Sequence, residues 1–211
     1  MKKNKKSYLL ALFMFSCSNL FAQEVQLSNT NTFNYFQTQT RSIYEQDKFS
    51  FNEINDFLTD NEKEKRINNL SYYISARYNI NKDKAQNIVK VSFDESEKHN
   101  IDPLLVLSIV GVESTYNPFA KSKSGAIGLT QVMPRYHRSK ISEIKKQDLD
   151  LFSIKGNITV GIQIIKEYIS LADGNVKRAL QMYNGSTKDK KQSYSNKVLK
   201  KRKSLHEAFN L

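Results

Sequence analysis

One carboxylate stands alone in the middle of the chain. Glu113 is the only acid between Asp102 and Glu143, and it follows the apolar run LLVLSIVGV at residues 104–112. In a buried helix, desolvation and the negative end of the helix dipole would both raise the pKa of this carboxyl. A carboxyl that stays protonated near neutral pH can act as a general acid. The alternative is a structural glutamate that pairs with a lysine at a helix end, and spacing alone favours neither.

Helical patterns predict the elements that position Glu113. Asn81 is expected to cap one helix, which stops near His99, and Asp102-Pro103 to start the next. The second is apolar on nearly all sides, so we expect it to be buried and to carry Glu113 at its end. Further helices are predicted to begin at Asn157, Asn175 and about Tyr194. Residues 120–134 predict a loop. Strand-like alternation is scarce, so the predicted fold class is all-α, with room for one small β-hairpin near Glu113.

The first 22 residues are typical of a secretory signal peptide. A lysine cluster precedes an apolar core at residues 8–15, and cleavage is expected after Ala22. This core is too short to span a bilayer, which takes ~20 residues. Export to the periplasm or beyond is therefore predicted. Lipidation at Cys17, the single cysteine, is the less favoured alternative because MFSC is a poor lipoprotein box.

The rest of the chain is divided by composition. Residues 23–40 are predicted to be a flexible leader, residues 41–80 an extension of one or two peripheral helices, and residues 81–211 the catalytic domain. No later stretch is apolar enough for a membrane span. His99, His137 and His206 are isolated from one another and from cysteine, so no metal site is predicted.

The chain is basic, with a formal net charge of +12. Loss of residues 1–22 would remove four lysines and no acids, which leaves +8. An exported basic protein suits an anionic membrane surface or an acidic polymer such as a cell wall, and export argues against nucleic acid. The dense runs at residues 188–192 and 197–205 are interpreted as solvated helix faces.

Three blocks of sequence, followed by a tyrosine before a Lys-Val pair, together resemble one enzyme family. The first block comprises Glu113-Ser114, Asn117-Pro118, Ala120, Ser122, Gly125-Ala126, Gly128-Leu129, Gln131 and Met133-Pro134. Later blocks comprise Asn157-Ile158 with Gly161 and Tyr168, Ala179-Leu180 with Tyr183-Asn184, and Tyr194 with Lys197-Val198. In this order they resemble the family 1 lytic transglycosylases, whose soluble-lytic-transglycosylase (SLT) domain is related to goose-type lysozyme. The resemblance covers about residues 81–205. Thr130 and Gly185-Ser186 depart from the pattern, which bears on subsite preference.

The resemblance implies a substrate and a reaction. The substrate would be peptidoglycan, cut between N-acetylmuramic acid and N-acetylglucosamine, with no cofactor and no metal. Glu113 would protonate the glycosidic oxygen, and the acetamido group or an oxocarbenium-like state would replace the second carboxylate that most glycosidases use. Glu113 would then take the proton of the 6-hydroxyl, which closes a 1,6-anhydro ring.

The resemblance also implies supporting roles for other residues. Tyr183 would hydrogen-bond to Glu113 and orient it, with core packing as the alternative. Gln131 and Asn184 would bind acetamido or hydroxyl groups, with loop closure as the alternative. The remaining candidates are Ser114 beside the glutamate, Ser122 and Met133 along the cleft, Tyr194 in the cleft or packing the last helix, and Gly125 and Gly128 for a tight loop that approaches the sugar.

Two rival interpretations remain open. A hydrolase of goose-type lysozyme character could use the same fold with a second carboxylate or a fixed water. A wall-binding component of a secretion or conjugation apparatus could keep the fold without turnover, although an intact Glu113 disfavours this.

Overall fold

The computed structural model describes residues 60–211, which form seven helices. They are α1 (Asp60–Tyr78), α2 (Lys82–Lys98), α3 (Pro103–Glu113), α4 (Arg138–Lys145), α5 (Ile154–Leu171), α6 (Val176–Tyr183) and α7 (Ser193–Phe209). Three predicted segments lie outside the described residues: the signal peptide (residues 1–22) with Cys17, the leader (residues 23–40) and the first part of the extension (residues 41–59). Within 60–211, strand pairing is limited to two isolated bridges, Lys121 with Ile127 and Ile127 with Val132. The all-α prediction is confirmed.

Helix α3 begins as its sequence predicts and is the buried centre of the fold. The Asp102 carboxylate accepts a hydrogen bond from the Leu104 N–H at 2.9 Å, and Pro103 occupies the first helical position. All residues from 103 to 111 are buried. Helices α2, α5 and α7 pack around α3. Glu113 therefore leaves the core at the end of a helix that is enclosed along most of its length.

Helix α1 belongs to the core and is not peripheral. Its Leu70 and Ile74 are fully buried in the same hydrophobic cluster as α3, with Ile67 partly buried beside them. These residues recur at intervals of three or four, which places them on one helix face. The described part of the extension, α1, thus shares one core with the catalytic part.

Two elements differ from the sequence prediction. Helix α5 begins at Ile154, where the Ser153 hydroxyl caps it by accepting a hydrogen bond from the Gly156 N–H at 3.1 Å. Asn157 therefore lies within the first turn rather than at the cap. Helix α4 was not predicted, because Ile144 is its only buried residue and no side chain caps its start. Among residues 60–211, no helix combines the length and apolar character needed to cross a membrane.

Candidate active site

The carboxylate of Glu113 meets a tyrosine from the last helix. The Tyr194 hydroxyl donates a hydrogen bond to Oε1 of Glu113 at 2.5 Å. Tyr194 is buried in the first turn of α7, whereas Glu113 is half-buried at the end of α3. The close packing of α3 against α7 brings the two together. The side chain of Tyr194 thus combines the two roles that were predicted as alternatives: it lies beside Glu113, and it packs α7 against the core.

Burial dominates the electrostatics of Glu113. Desolvation raises the pKa of its carboxyl, while the hydrogen bond from Tyr194 and the nearby Lys197 ammonium lower it, and the net pKa is above the ordinary value. Such a carboxyl can hold a proton at a higher pH than an exposed glutamate and still become a stable anion. The site can therefore donate a proton and later take one back.

The chain reverses sharply after Glu113. Thr115 and Tyr116 both have positive φ, 52° and 62°, which is unusual for residues with side chains. The buried Tyr116 hydroxyl donates to the Leu107 carbonyl at 3.1 Å, which holds the reversal against α3. Gly111 leaves room for it, since a Cβ there would lie 2.9 Å from the same hydroxyl. This tight turn ends α3 at Glu113.

Ser114 and Ser122 bond to the backbone. The Ser114 hydroxyl is buried and donates to the Val110 carbonyl at 3.1 Å. Ser122 Oγ accepts a hydrogen bond from the Ala126 N–H at 2.9 Å, which tightens the turn around Gly125. Ser114 therefore supports the end of α3, and Ser122 shapes the loop beyond it.

Gln131 makes the loop-closing contacts that were its alternative role. Its Nε2 donates to the carbonyls of Gly128 at 2.9 Å and Ala120 at 3.2 Å. Both bonds use the amide nitrogen and link the two sides of the 120–134 loop. The loop is thus closed by a side chain as well as by its short bridges.

The two loop glycines serve different needs. Gly125 has φ 88° and a Cβ there would meet nothing within 4 Å, so only its backbone angle calls for glycine. Gly128 has φ 78°, and a Cβ would lie 2.0 Å from Nδ2 of Asn157 and 2.6 Å from the Leu151 carbonyl oxygen. The close approach at Gly128 is to Asn157 inside the protein, and not to open space where a sugar could lie.

Asn157 fastens the loop to α5. Its Nδ2 donates to the carbonyls of Leu151 at 2.8 Å and Ile127 at 3.0 Å. Its Oδ1 accepts from the Thr130 N–H and the Thr130 hydroxyl, both at 2.8 Å. All four hydrogen-bonding positions of the buried amide are used. The sequence blocks contained Asn157, but its role was missed because it was interpreted as a helix start.

The predicted hydrogen bond from Tyr183 to Glu113 is wrong. The Tyr183 hydroxyl donates to the Thr130 carbonyl at 2.8 Å, and its ring packs edge-on against Tyr168 at 6.5 Å. Burial and the nearby Glu113 carboxylate raise the pKa of Tyr183, so its hydroxyl stays neutral. Tyr183 thus supports the loop wall near Glu113. The hydrogen bond to Glu113 that was expected of Tyr183 is made by Tyr194 instead.

Asn184 and Met133 lie at the edges of these elements. Asn184 is exposed and follows the last residue of α6, where its backbone N–H bonds to the Leu180 carbonyl at 3.2 Å. Met133 is half-buried and ends the loop segment that Tyr183 supports. Neither forms a side-chain hydrogen bond with another described residue. Lys197 of α7 also belongs to the site, because its positive charge lowers the Glu113 pKa. Its place in a motif pair and in a basic run did not indicate this role. No group of three or more potential metal-ligating side chains occurs within 60–211.

Comparisons with known proteins place this arrangement in context. The family model described as "Transglycosylase SLT domain" matches residues 90–205. Membrane-bound lytic murein transglycosylase E of Buchnera aphidicola subsp. Acyrthosiphon pisum is 30% identical over 118 residues, which cover 50% of this chain and 53% of the relative. Membrane-bound lytic murein transglycosylase C of Actinobacillus pleuropneumoniae serotype 5b is 50% identical over 40 residues, 19% of this chain and 11% of the relative.

A solved structure shares the fold. The X-ray structure of an inactive mutant of the lytic transglycosylase Slt from Pseudomonas aeruginosa matches with a TM-score of 0.50 at 19% identity. The match covers 57% of this chain and 24% of that one. The chain thus spans about half the length, or less, of the relatives it matches.

Proposed function

Because the chain belongs to the transglycosylase SLT domain family, we propose that it is a lytic transglycosylase that cleaves the β-1,4 bond between N-acetylmuramic acid and N-acetylglucosamine in peptidoglycan. The observation that carries the proposal is the pair of Glu113 and Tyr194 at the end of a buried helix. Burial raises the Glu113 pKa above its ordinary value, which favours proton donation. The names of the relatives support the choice of substrate.

The reaction needs one carboxyl that works twice. Glu113 gives its proton to the glycosidic oxygen as the bond from that oxygen to the anomeric carbon breaks. The anomeric carbon that results is stabilised by a bond from the acetamido oxygen of the muramic acid, or it persists as an oxocarbenium-like state. The Glu113 carboxylate then removes the 6-hydroxyl proton, and that oxygen bonds to the anomeric carbon. Glu113 ends protonated, and no water is consumed.

Tyr194 divides the two oxygens of Glu113 between two tasks. Its hydroxyl holds Oε1 at 2.5 Å, which leaves Oε2 to exchange the proton with the substrate. A hydrogen bond to the anion also stabilises the carboxylate between its two roles. We therefore assign Tyr194 as the residue that positions Glu113.

A hydrolase is the main rival. An inverting glycosidase places a second carboxylate about 6.5–9.5 Å from the acid, and a retaining one about 5–5.5 Å. Among the described residues, burial, the Tyr194 hydrogen bond and the Lys197 charge account for the shift of the Glu113 pKa, and no carboxylate is among these causes. This supports a reaction with a single acid.

Digestion of purified sacculi in ¹⁸O-labelled water separates the two reactions. Transglycosylation should yield muropeptides with 1,6-anhydro ends, lighter by one water and free of the label. Hydrolysis would yield reducing ends that carry ¹⁸O, and labelled ends as the main product would refute the proposal. A folded protein that binds sacculi but releases nothing would support the wall-binding alternative, in which the chain serves a secretion or conjugation apparatus.

We also propose that the chain is exported. The support is the lysine cluster, the short apolar core and Ala22 at the N-terminus. N-terminal sequencing of protein recovered outside the cytoplasm should give a start near Gln23. A start at a lipid-modified Cys17 would instead indicate a membrane anchor.

A further inference from the structure

A basic groove runs between the first and last described helices. Helix α1 lines it with Tyr73, Arg77 and Tyr78, and α7 lines it with Lys197, Lys200 and Lys201. The groove is open to solvent and encloses about 580 Å³. Residues 73–78 precede residue 90, where the family match starts, so one wall of the groove comes from a part of the chain outside that match.

The cations of this groove form no close ion pairs within residues 60–211, and only Lys197 has a carboxyl, that of Glu113, near enough for its charge to act on. Four cations line it and no acid does. None of the four forms an ion pair with a carboxylate of residues 60–211, whereas Lys63, Lys98 and Lys140 elsewhere are paired. Lys201 instead lies 4.8 Å from the Tyr78 ring centre and bonds to its hydroxyl. Like charges that converge without a counter-charge repel one another, and a bound anion would relieve that repulsion.

The groove starts beside the candidate active site. Tyr194, which contacts Glu113, precedes Lys197 by one turn of α7, and Lys197 also acts on the Glu113 pKa. From Lys197 to Leu205 the groove follows α7 for about 12 Å, at ~1.5 Å per residue. An extended peptide advances ~3.3–3.6 Å per residue, so about three or four residues match this length.

We propose that this groove is a subsite for the carboxylate-bearing peptide stem of the glycan strand that is cleaved. The inference rests on the proposed function, because only peptidoglycan carries such stems on its muramic acid. The stem is attached to the muramic acid beside the scissile bond, and the groove begins at Lys197, one turn of α7 after the tyrosine that contacts Glu113. Its side-chain and terminal carboxylates meet Arg77 and Lys200, while the rings of Tyr73 and Tyr78 cover the apolar parts of the peptide.

The test compares substrates with and without stems. The variant Arg77→Gln/Lys200→Gln removes one cation from each wall and spares Lys197, which acts on Glu113, and Lys201, which packs on Tyr78. The matched control is Lys188→Gln/Lys203→Gln, which removes the same charge from exposed positions outside the groove. Each full-length protein is assayed on glycan strands with intact stems and on strands stripped of stems by an amidase.

We expect the groove variant to raise KM on stem-bearing strands about 2- to 30-fold, since the two partly exposed ion pairs that it removes are together worth ~0.4–2 kcal/mol. Its kcat should change little, and its KM on stripped strands should equal that of the unaltered protein. An unchanged KM on stem-bearing strands would overturn the inference. So would an equal rise on stripped strands or in the control.

A binding measurement separates failure of the groove from failure of the proposed function. The probes are a synthetic stem tetrapeptide and inorganic polyphosphate, each titrated against the unaltered chain and both double variants. Tetrapeptide binding that only the groove variant weakens supports the subsite even in a protein without turnover. Polyphosphate binding through the same residues, with no tetrapeptide binding, would assign the groove to a phosphate polymer and overturn its assignment to the peptide stem.

Discussion

The Tyr194 hydroxyl lies 2.5 Å from Oε1 of Glu113, although 81 positions separate the two residues. The contact joins the buried helix α3 to the last helix, α7. This hydrogen bond is the direct contact between α7 and Glu113, and the Lys197 charge on the same helix adds to it. The pair therefore offers the most direct test of the candidate site.

Tyr194→Phe should change both the rate and its pH dependence. The lost bond stabilises the Glu113 anion, so its removal raises the Glu113 pKa further. The proton donor then survives to higher pH, and the alkaline limb of the kcat profile should move upward. A hydrogen bond to a charged group is worth ~1.5–3 kcal/mol, so kcat at the optimum should fall roughly 10- to 100-fold. Tyr183→Phe is the control, because its bond goes to Thr130, and its limb should not move. A limb that stays in place in Tyr194→Phe would contradict the assignment.

Glu113→Gln should fold and lose turnover. The amide is nearly isosteric and can still accept the bond from Tyr194, but its N–H protons are not acidic enough to protonate the glycosidic oxygen. General acid–base catalysis contributes typically ~10²–10⁴-fold, and we expect a loss of at least that size in kcat on sacculi. Glu143→Gln, at an exposed acid of α4, should keep full activity. Near-normal turnover in a folded Glu113→Gln protein would rule out Glu113 as the acid.

Glu113→Gln should also stabilise the fold at neutral and alkaline pH, but not at acid pH. The folded pKa of Glu113 lies above its unfolded value of about 4.3, so the protonated form contributes stability below that pH. This contribution is lost as pH rises through the folded pKa, when the buried group must ionise. The melting temperature of Glu113→Gln should therefore match that of the unaltered chain near pH 3.5 and exceed it at pH 8. Glu143→Gln should show no such trend, and an equal difference at both pH values would contradict the expectation.

The two loop glycines provide a matched pair for stability. Gly125→Ala meets open space and should cost only the left-handed backbone, about 1–2 kcal/mol of unfolding free energy. Gly128→Ala adds a collision with Asn157 and the Leu151 carbonyl, and we expect a loss of more than about 3 kcal/mol. Urea unfolding of both variants measures the difference. Equal losses would show that the loop can move away from α5.

Asn157→Ala should loosen the loop that flanks Glu113. The change leaves the buried Thr130 N–H and the Leu151 carbonyl without partners, while the Ile127 carbonyl keeps its bond from the Val132 N–H at 3.0 Å. An unsatisfied buried group costs ~1–3 kcal/mol, so unfolding free energy should fall by about 2–4 kcal/mol. Asn184→Ala, at an exposed position, should change it by no more than about 0.5 kcal/mol. A stable Asn157→Ala protein would show that the loop does not depend on this amide.

Local chemistry explains what the sequence could predict. Asn81, Asp102 and Asn175 each cap a helix where the residues indicated, because capping joins groups only two or three positions apart. The apolar character of residues 104–110 predicted a buried α3, and a raised pKa of Glu113 was one of the two interpretations that the lone acid after it left open. The order of the motif blocks indicated the family.

Tertiary structure decided which side chains meet. Tyr183 and Tyr194 both belong to the motif blocks, and only the packing of α6 and α7 determines that Tyr183 bonds to Thr130 and Tyr194 to Glu113. The partners of Asn157 lie up to 30 positions away, and α1 joins the core through residues whose partners lie on other helices. Residue spacing specifies the face of a helix, but not which face of another helix it meets. The faces that meet depend on the shape of the whole core. For this reason only the tertiary structure shows that Gln131 bonds within its own loop and that α1 and α7 lie side by side and form the basic groove.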